Sequence, residues 1–299
     1  MNILVTGASG FIGSRLSVVL AGEGTHTVYA LVREGGKRDG FGASVLPVIH
    51  DGTVETLIAS LQKLEIGGIV HLASLFLAQH TPADIDRLIA ANLQFGTQLI
   101  EAASVTGVNW FINTSSFWQH YGNRGYSPVA LYAATKQAFE DILQYYRETA
   151  AVKIVTLELF DTYGPGDTRP KLLNLLRQQL DNPVPLAMSP GEQRMNLLHI
   201  DDVIAAFTRL VGLLQQGALL AEKYAASAAE LPTLREVAAL FGFIAGREIP
   251  IEWGGRPYRP REFMNPEPVY PPVPGWQQTI PLDEGIARTL RSDGVLCHG

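Results

Sequence analysis

Apolar residues in the first half of the chain fall into two alternating rhythms. Short apolar runs at Ile3–Val5, Thr27–Val32, Ser44–Ile49, Gly68–His71, Trp110–Thr114 and Ile154–Leu159 read as strands of a buried sheet. Between them, apolar positions recurring every three or four residues predict helices at Phe11–Leu20, Thr53–Leu64, Ala83–Val105 and Ala130–Glu148. This strand–helix alternation predicts an α/β fold, a Rossmann-type doubly wound parallel sheet with helices on both faces. No internal repeat or low-complexity tract interrupts it.

Past about Tyr163 the rhythm breaks. Prolines gather at Pro165, Pro170, Pro183, Pro185 and Pro190, and a later proline-rich run, 257–274, carries arginines and aromatics. Such a run reads as irregular backbone laid over a surface or cleft. The expected organisation is a dinucleotide-binding domain over 1–163, taking back residues 200–228, and a smaller, mainly substrate-binding lobe over 164–299.

Composition narrows the classes. With 46% hydrophobic and 17% charged residues over 299 positions, the chain can build a sizeable core and is not disordered. A net charge of −6 argues against nucleic acid or an anionic membrane as a partner. The single cysteine, Cys297, supports neither a disulfide framework nor a thiolate metal site, and no metal is expected. The first residues already form a core strand, so a cytoplasmic enzyme is expected.

The first strand runs into Gly7, Gly10 and Gly13. Gly7 permits a tight turn, Gly10 lets backbone approach a pyrophosphate, and Gly13 lets the helix pack close to the strand. The helix that opens at Phe11 and Ile12 turns its free N–H groups and positive dipole end toward phosphates. The chemistry expected here is NAD or NADP binding. Downstream, Tyr132 and Lys136 share a helical face, and an ammonium beside a phenol stabilises phenolate. The strand Trp110–Thr114 delivers Ser115 and Ser116 to the sheet edge where ligands sit.

Taken together, Thr6-Gly-Ala-Ser-Gly-Phe-Ile-Gly13, His71-Leu-Ala-Ser74, Asn92, Ser115-Ser116, Tyr132-x-x-x-Lys136, Phe160-Asp-Thr-Tyr-Gly-Pro-Gly166 and His199-Ile-Asp-Asp202 resemble the extended short-chain dehydrogenase/reductase family. That family comprises sugar-nucleotide epimerases, dehydratases and reductases. The stretches 113–121 and 131–139 look most like its CDP-abequose synthase group of deoxysugar-nucleotide 4-ketoreductases. The resemblance implies Tyr132 as proton donor, Lys136 as phenol tuner and ribose ligand, and Ser116 as hydrogen-bond donor to the carbonyl, with Ser115 as fallback and otherwise a substrate contact. It further implies Leu72 and Ala73 along the cofactor, Asp51 on the adenine, and a nucleotide-sugar substrate. By analogy with many family members, a homodimer is expected through the helices Ala83–Val105 and Ala130–Glu148.

The cofactor reading turns on the end of the second strand. An NAD enzyme wants a carboxylate there for the 2′-hydroxyl, but the chain offers Val32 and Arg33, with Lys37 and Arg38 soon after. A guanidinium suits a 2′-phosphate, and Arg15 is a second candidate for it, so NADPH is favoured over NAD. Family dehydratases follow their serine or threonine with an Asp-Glu pair, where this chain has Phe117 and Trp118. Dehydration is therefore not expected. Trp118 and Phe117 are pocket candidates, with core packing the alternative. By the family pattern Arg194, Arg256 and Arg259 are diphosphate candidates, whereas Arg261 reads as exposed-loop charge; His80, Gln119 and His120 are polar pocket candidates for which a place at the surface is the favoured reading. The leading expectation is NADPH-dependent reduction of a nucleotide-linked 4-keto-6-deoxysugar at C4. A 4-epimerase is the alternative within the class, and a non-catalytic NADP-sensing regulator the rival outside it.

Overall fold

A computed structural model describes residues 1–36, 41–181, 184–218 and 220–295; Lys37, Arg38 and Cys297 lie outside the described residues. The strands are β1 (Asn2–Thr6), β2 (Thr27–Arg33), β3 (Val45–His50), β4 (Ile66–His71), β5 (Trp110–Ser116), β6 (Lys153–Leu159), β7 (Asp161–Tyr163), β8 (Leu186–Met188), β9 (Leu197–His199), β10 (Lys223–Ala226) and β11 (Ile251–Trp253). Seven of them form one parallel sheet in the order β10-β6-β5-β4-β1-β2-β3.

Alternation along β1 builds both layers of the core. Ile3 and Val5 face helices α1 (Phe11–Gly22) and α7 (Ile200–Gln215), where they meet Leu16, Leu20, Phe207 and Leu210. Leu4 points the other way, toward Leu57 and Leu61 of α2 (Val54–Lys63), Leu99 of α4 (Phe95–Thr106), and Phe139 and Leu143 of α5 (Leu131–Thr149). Burying each such side chain contributes about 1.5–3 kcal/mol, so the two clusters fix which strand face meets which helix. A third cluster, built from α6 (Leu172–Asp181), α8 (Leu234–Ala245) and α9 (Leu282–Ser292), holds the later part of the chain around the strand pairs β7–β9 and β8–β11.

Two elements differ from the sequence reading. The expected single helix 83–105 is broken into a 3₁₀ turn (Pro82–Asp84), the short helix α3 (Ile85–Ile89), a π-helical turn (Ala90–Gln94) and α4. Asn92 sits in that π turn, buried, and saturates its amide: Oδ1 accepts from Ser74 Oγ (3.1 Å) and Leu75 N (2.7 Å), while Nδ2 donates to Leu75 O and Thr135 Oγ1 (3.0 Å each). The wide turn places a polar anchor between the loop after β4 and helix α5. The second difference is β10, which extends the sheet beyond β6 after α7 has returned to cover α1. Among the described residues no helix is long and apolar enough to cross a membrane.

Candidate active site

The sheet order reverses at β1, so a crevice opens at the carboxyl ends of β1 and β4. Thr6 and His71 end those strands as register partners. Thr6 Oγ1 accepts from Leu72 N (3.2 Å) and Ala73 N (3.1 Å) and donates to His71 Nδ1 at 2.9 Å. His71 is therefore neutral, with its hydrogen on Nε2. Burial, helped by the nearby Lys136 ammonium, holds its pKa down to about 3. This bonding fixes the Leu72–Ala73 backbone against the glycine turn.

The glycines act through space as well as conformation. Gly7 has φ +68°, and a Cβ there would lie 2.8 Å from Ala73 N. A Cβ on Gly13 would lie only 2.2 Å from Gly7 O. Gly10 caps α1 with no side chain, which leaves the first-turn amides of Phe11, Ile12 and Gly13 without intrahelical partners. A crevice lined by free amides at a helix N-terminus fits a dinucleotide diphosphate.

Around that crevice the other cofactor candidates separate. Arg33 ends β2 with an exposed side chain. Asp51 accepts from Thr53 Oγ1 (2.7 Å) and Thr53 N (2.9 Å), bonds that hold its pKa down to about 2, and it organises the start of α2. Arg15, the second candidate for a 2′-phosphate, pairs at the surface with Asp201 at the start of α7 (3.0 Å) and donates to the Pro165 carbonyl (2.9 Å).

Helix α5 brings Tyr132 and Lys136 under the end of β5. Lys136 is 3% exposed and donates from Nζ to Thr114 O at 3.0 Å. Burial lowers its pKa to about 8, against the pull of Glu140. Burial also pushes the Tyr132 phenol up to about 12, opposed by hydrogen bonds from the Ser116 and Ser74 hydroxyls. The two-residue period of β5 puts the two serines on opposite faces of the sheet. Ser115 lies on the face of Phe111 and Asn113, its buried Oγ unpartnered, while Ser116 meets the phenol. The fallback role and substrate-contact reading of Ser115 are accordingly dropped.

The two aromatics after Ser116 part company. Phe117 stacks on Phe160 at 4.9 Å inside a small core. Trp118 is half-buried and meets Phe76 edge-on at 5.2 Å, and Phe76 in turn stands 5.0 Å from the Tyr132 ring. Arg259 lies over Trp118 at 5.9 Å. Arg194 and Arg256 are exposed and bond the carbonyls of Leu231 (2.8 Å) and Ala187 (2.6 Å). Arg261, expected as loop charge, instead stacks on Tyr121 at 4.3 Å and donates to Ser127 Oγ at 2.6 Å. His80 is exposed, as expected. Gln119 and His120, expected at the surface, are buried, because β10 and the segment around Tyr270 cover them.

Sequence reasoning assigned no role to Phe76, Ser74 or Glu140. Ser74 lay in a motif already singled out, and Glu140 stands one helical turn from Lys136, a signal that was available; nothing local marks Phe76. Among the described residues no group of His, Cys, Asp and Glu is arranged to hold a metal.

A model of the NAD dependent epimerase/dehydratase family matches residues 3–218. The chain is 27% identical over 278 residues to CDP-abequose synthase of Yersinia pseudotuberculosis, covering 90% of this chain and 93% of that one. It is 26% identical to UDP-glucose 4-epimerase of Mycolicibacterium smegmatis, covering 97% of each. In structure it resembles UDP-glucuronic acid 4-epimerase from Bacillus cereus in complex with UDP-glucuronic acid and NAD, with a TM-score of 0.84, 21% identity and 99% of both chains covered. At that identity the likeness speaks for the fold.

Proposed function

The chain belongs to the NAD dependent epimerase/dehydratase family, and from that membership we propose that it is an NADPH-dependent reductase of the C4 keto group of a nucleotide-linked 4-keto-6-deoxysugar. The observation that carries this reading is the convergence of Ser116, Tyr132 and Lys136 at one edge of the crevice, followed by Phe117 and Trp118 rather than by acids. Neither aromatic can move a proton, so the site has one acid, the phenol, which is what carbonyl reduction needs. The similarity to CDP-abequose synthase supports the same class of chemistry.

In this reading bound nicotinamide supplies the hydride. Ser116 donates a hydrogen bond to the substrate carbonyl and orients it. Tyr132 gives its proton to the oxygen as charge develops there. Lys136, as ammonium, stabilises the phenolate left behind and touches the ribose. Trp118 and Phe76 shield the reacting carbon from water, and Arg259 is placed to meet a diphosphate oxygen, with Arg194 and Arg256 further along the second lobe. Gly7, Gly10, Phe11, Ile12, Gly13, Leu72 and Ala73 line the cofactor, Asp51 takes the adenine, and Arg33 favours the 2′-phosphate. Residues 1–163 with 200–228 form the cofactor domain in this scheme. Exposed Ile85, Ile89, Val105 and Tyr145 on the outer face of α3, α4 and α5 suit a homodimer.

A 4-epimerase is the second reading, favoured by the epimerase relatives and by the NAD in the Bacillus cereus complex. One pair of assays separates them. Steady consumption of NADPH with a nucleotide-linked 4-keto-6-deoxyhexose supports the reductase. Interconversion of C4 epimers of a nucleotide hexose, with no net cofactor consumed, overturns it in favour of the epimerase.

A further inference from the structure

Behind Tyr132 and Lys136 lies a buried polar cluster that the proposed hydride chemistry does not use. Glu140 follows Lys136 by one turn on α5 and is 3% exposed. One of its carboxylate oxygens accepts from Gln119 Nε2 at 3.0 Å, and the other accepts from Lys223 Nζ on β10. Gln119 is the connector: its Oε1 accepts from Ser116 N at 3.1 Å, and its Nε2 also donates to Gln137 Oε1 at 3.0 Å. Lys223 reaches Tyr270 Oη at 3.4 Å on its outer side.

Further out, Glu158 of β6 meets His120. His120 Nδ1 faces only the carbonyls of Arg124 (3.1 Å) and Gly125 (2.9 Å), so it carries a hydrogen, and Nε2 lies 2.8 Å from a Glu158 oxygen. That approach requires a proton between them, so Glu158 is paired with His120, while it also feels Glu140 and Lys223 across the cluster. Arg147, on the same helix, sits near enough to feel Glu140 but bonds Thr156 Oγ1. His71, from β4, faces Lys136 as a neutral ring.

We propose that Glu140 is a positioning residue for catalysis: its carboxylate is the buried counter-charge of Lys136 and, through Gln119, ties the Ser116 strand end to the helix that carries Tyr132. A buried ammonium held by a single carbonyl, Thr114 O, is costly without an opposite charge nearby. Of the acids in the cluster, Glu158 is already engaged with His120, which leaves Glu140 to balance Lys136. Lys223 shares that carboxylate from the far side, so the three groups form a plus–minus–plus row. Removing the centre and removing the far end must then move Lys136 in opposite directions.

The role argued for Lys136 in turnover rests on the reductase reading, but its ionisation can be measured without substrate. In the full-length protein with ε-¹³C-labelled lysine, the Lys136 resonance is followed against pH, assigned by its loss in Lys136→Met. Glu140→Gln keeps the shape and an acceptor for Gln119 while deleting the charge, and should lower the Lys136 midpoint by a pH unit or more. Lys223→Met should raise it. In turnover assays the alkaline limb should move in the same directions, and Glu140→Asp should restore part of the Glu140→Gln loss. An unmoved Lys136 midpoint in folded Glu140→Gln, or a downward move in Lys223→Met, overturns the counter-charge. If the midpoints move as stated while the unmutated protein reduces no nucleotide ketosugar, the reductase reading fails and the counter-charge stands.

Discussion

Gly13→Ala is a one-methyl test of the cofactor crevice. The new Cβ would lie 2.2 Å from Gly7 O, 2.8 Å from Gly7 C and 2.9 Å from Ala8 Cα, whereas real Cβ contacts essentially never fall below 3.0 Å. All three neighbours are backbone, so no side chain can rotate out of the way; the β1–α1 turn itself must open. Overpacking of this kind costs about 1–3 kcal/mol, offset in part by the roughly 1 kcal/mol that alanine gains over glycine in a helix. The larger effect falls on binding. The turn that moves carries the first-turn amides, and loss of one charge-assisted bond to a phosphate, about 1.5–3 kcal/mol, weakens binding about 10- to 150-fold. Gly22→Ala is the matched control, since its Cβ would meet nothing within 4 Å on the same helix. Calorimetric titration with NADPH, alongside thermal melts, should show Gly13→Ala folded but weak and Gly22→Ala unchanged in affinity. A Gly13→Ala protein that binds NADPH as tightly as the unmutated chain would refute the reasoning.

Three further outcomes follow from the geometry. Tyr132→Phe should lower kcat about 10²- to 10⁴-fold with NADPH affinity nearly unchanged, because in the proposed mechanism the phenol donates the proton while the glycine turn holds the phosphates; near-full turnover would remove it as the acid. Arg33→Ala should narrow the preference for NADPH over NADH by about 1–3 kcal/mol in paired titrations, and equal affinities in the unmutated protein would exclude a 2′-phosphate site. Asp202, 1% exposed, accepts from Thr279 N (2.9 Å), Thr279 Oγ1 (2.7 Å) and Ile280 N (3.1 Å). Asp202→Ala should therefore cost about 2–4 kcal/mol in urea unfolding, and an unshifted midpoint would show that those donors find other partners.

How far the sequence could be read follows from how local each signal is. The first six strands are legible as apolar runs, although β3 at the sheet edge is half open to solvent, and the glycine turn because the positive φ of Gly7 and the close approach of Gly13 to Gly7 are local. Tyr132 and Lys136 were visible as a helical pair, whereas Ser116 was preferred to Ser115 only through the family resemblance, and it takes the fold to set the two serines on opposite faces of β5. Other features depend on partners far along the chain. Gln119 and His120 look like surface residues until Lys223 and Tyr270 arrive to bury them. Arg15 looks free until Asp201 is beside it. Lys223-Tyr-Ala-Ala226 is too short and too rich in alanine to announce a strand, and the π turn at Asn92 hides inside an otherwise helical pattern.

The return of the chain to its own sheet has a consequence for synthesis. Leu16 and Leu20 on α1 are covered by Phe207 and Leu210, and the open flank of β6 is taken by β10. Both covers are made after the segment that contributes α6 and β8. A nascent chain that has just passed Tyr163 thus holds the glycine turn, the serine, the tyrosine and the lysine, yet it exposes an apolar helix face and an unpaired parallel edge. It must wait on the ribosome for some sixty further residues before the sheet can close. Any attempt to produce the N-terminal half alone has to carry residues 200–226 with it, or cut them out and graft them on.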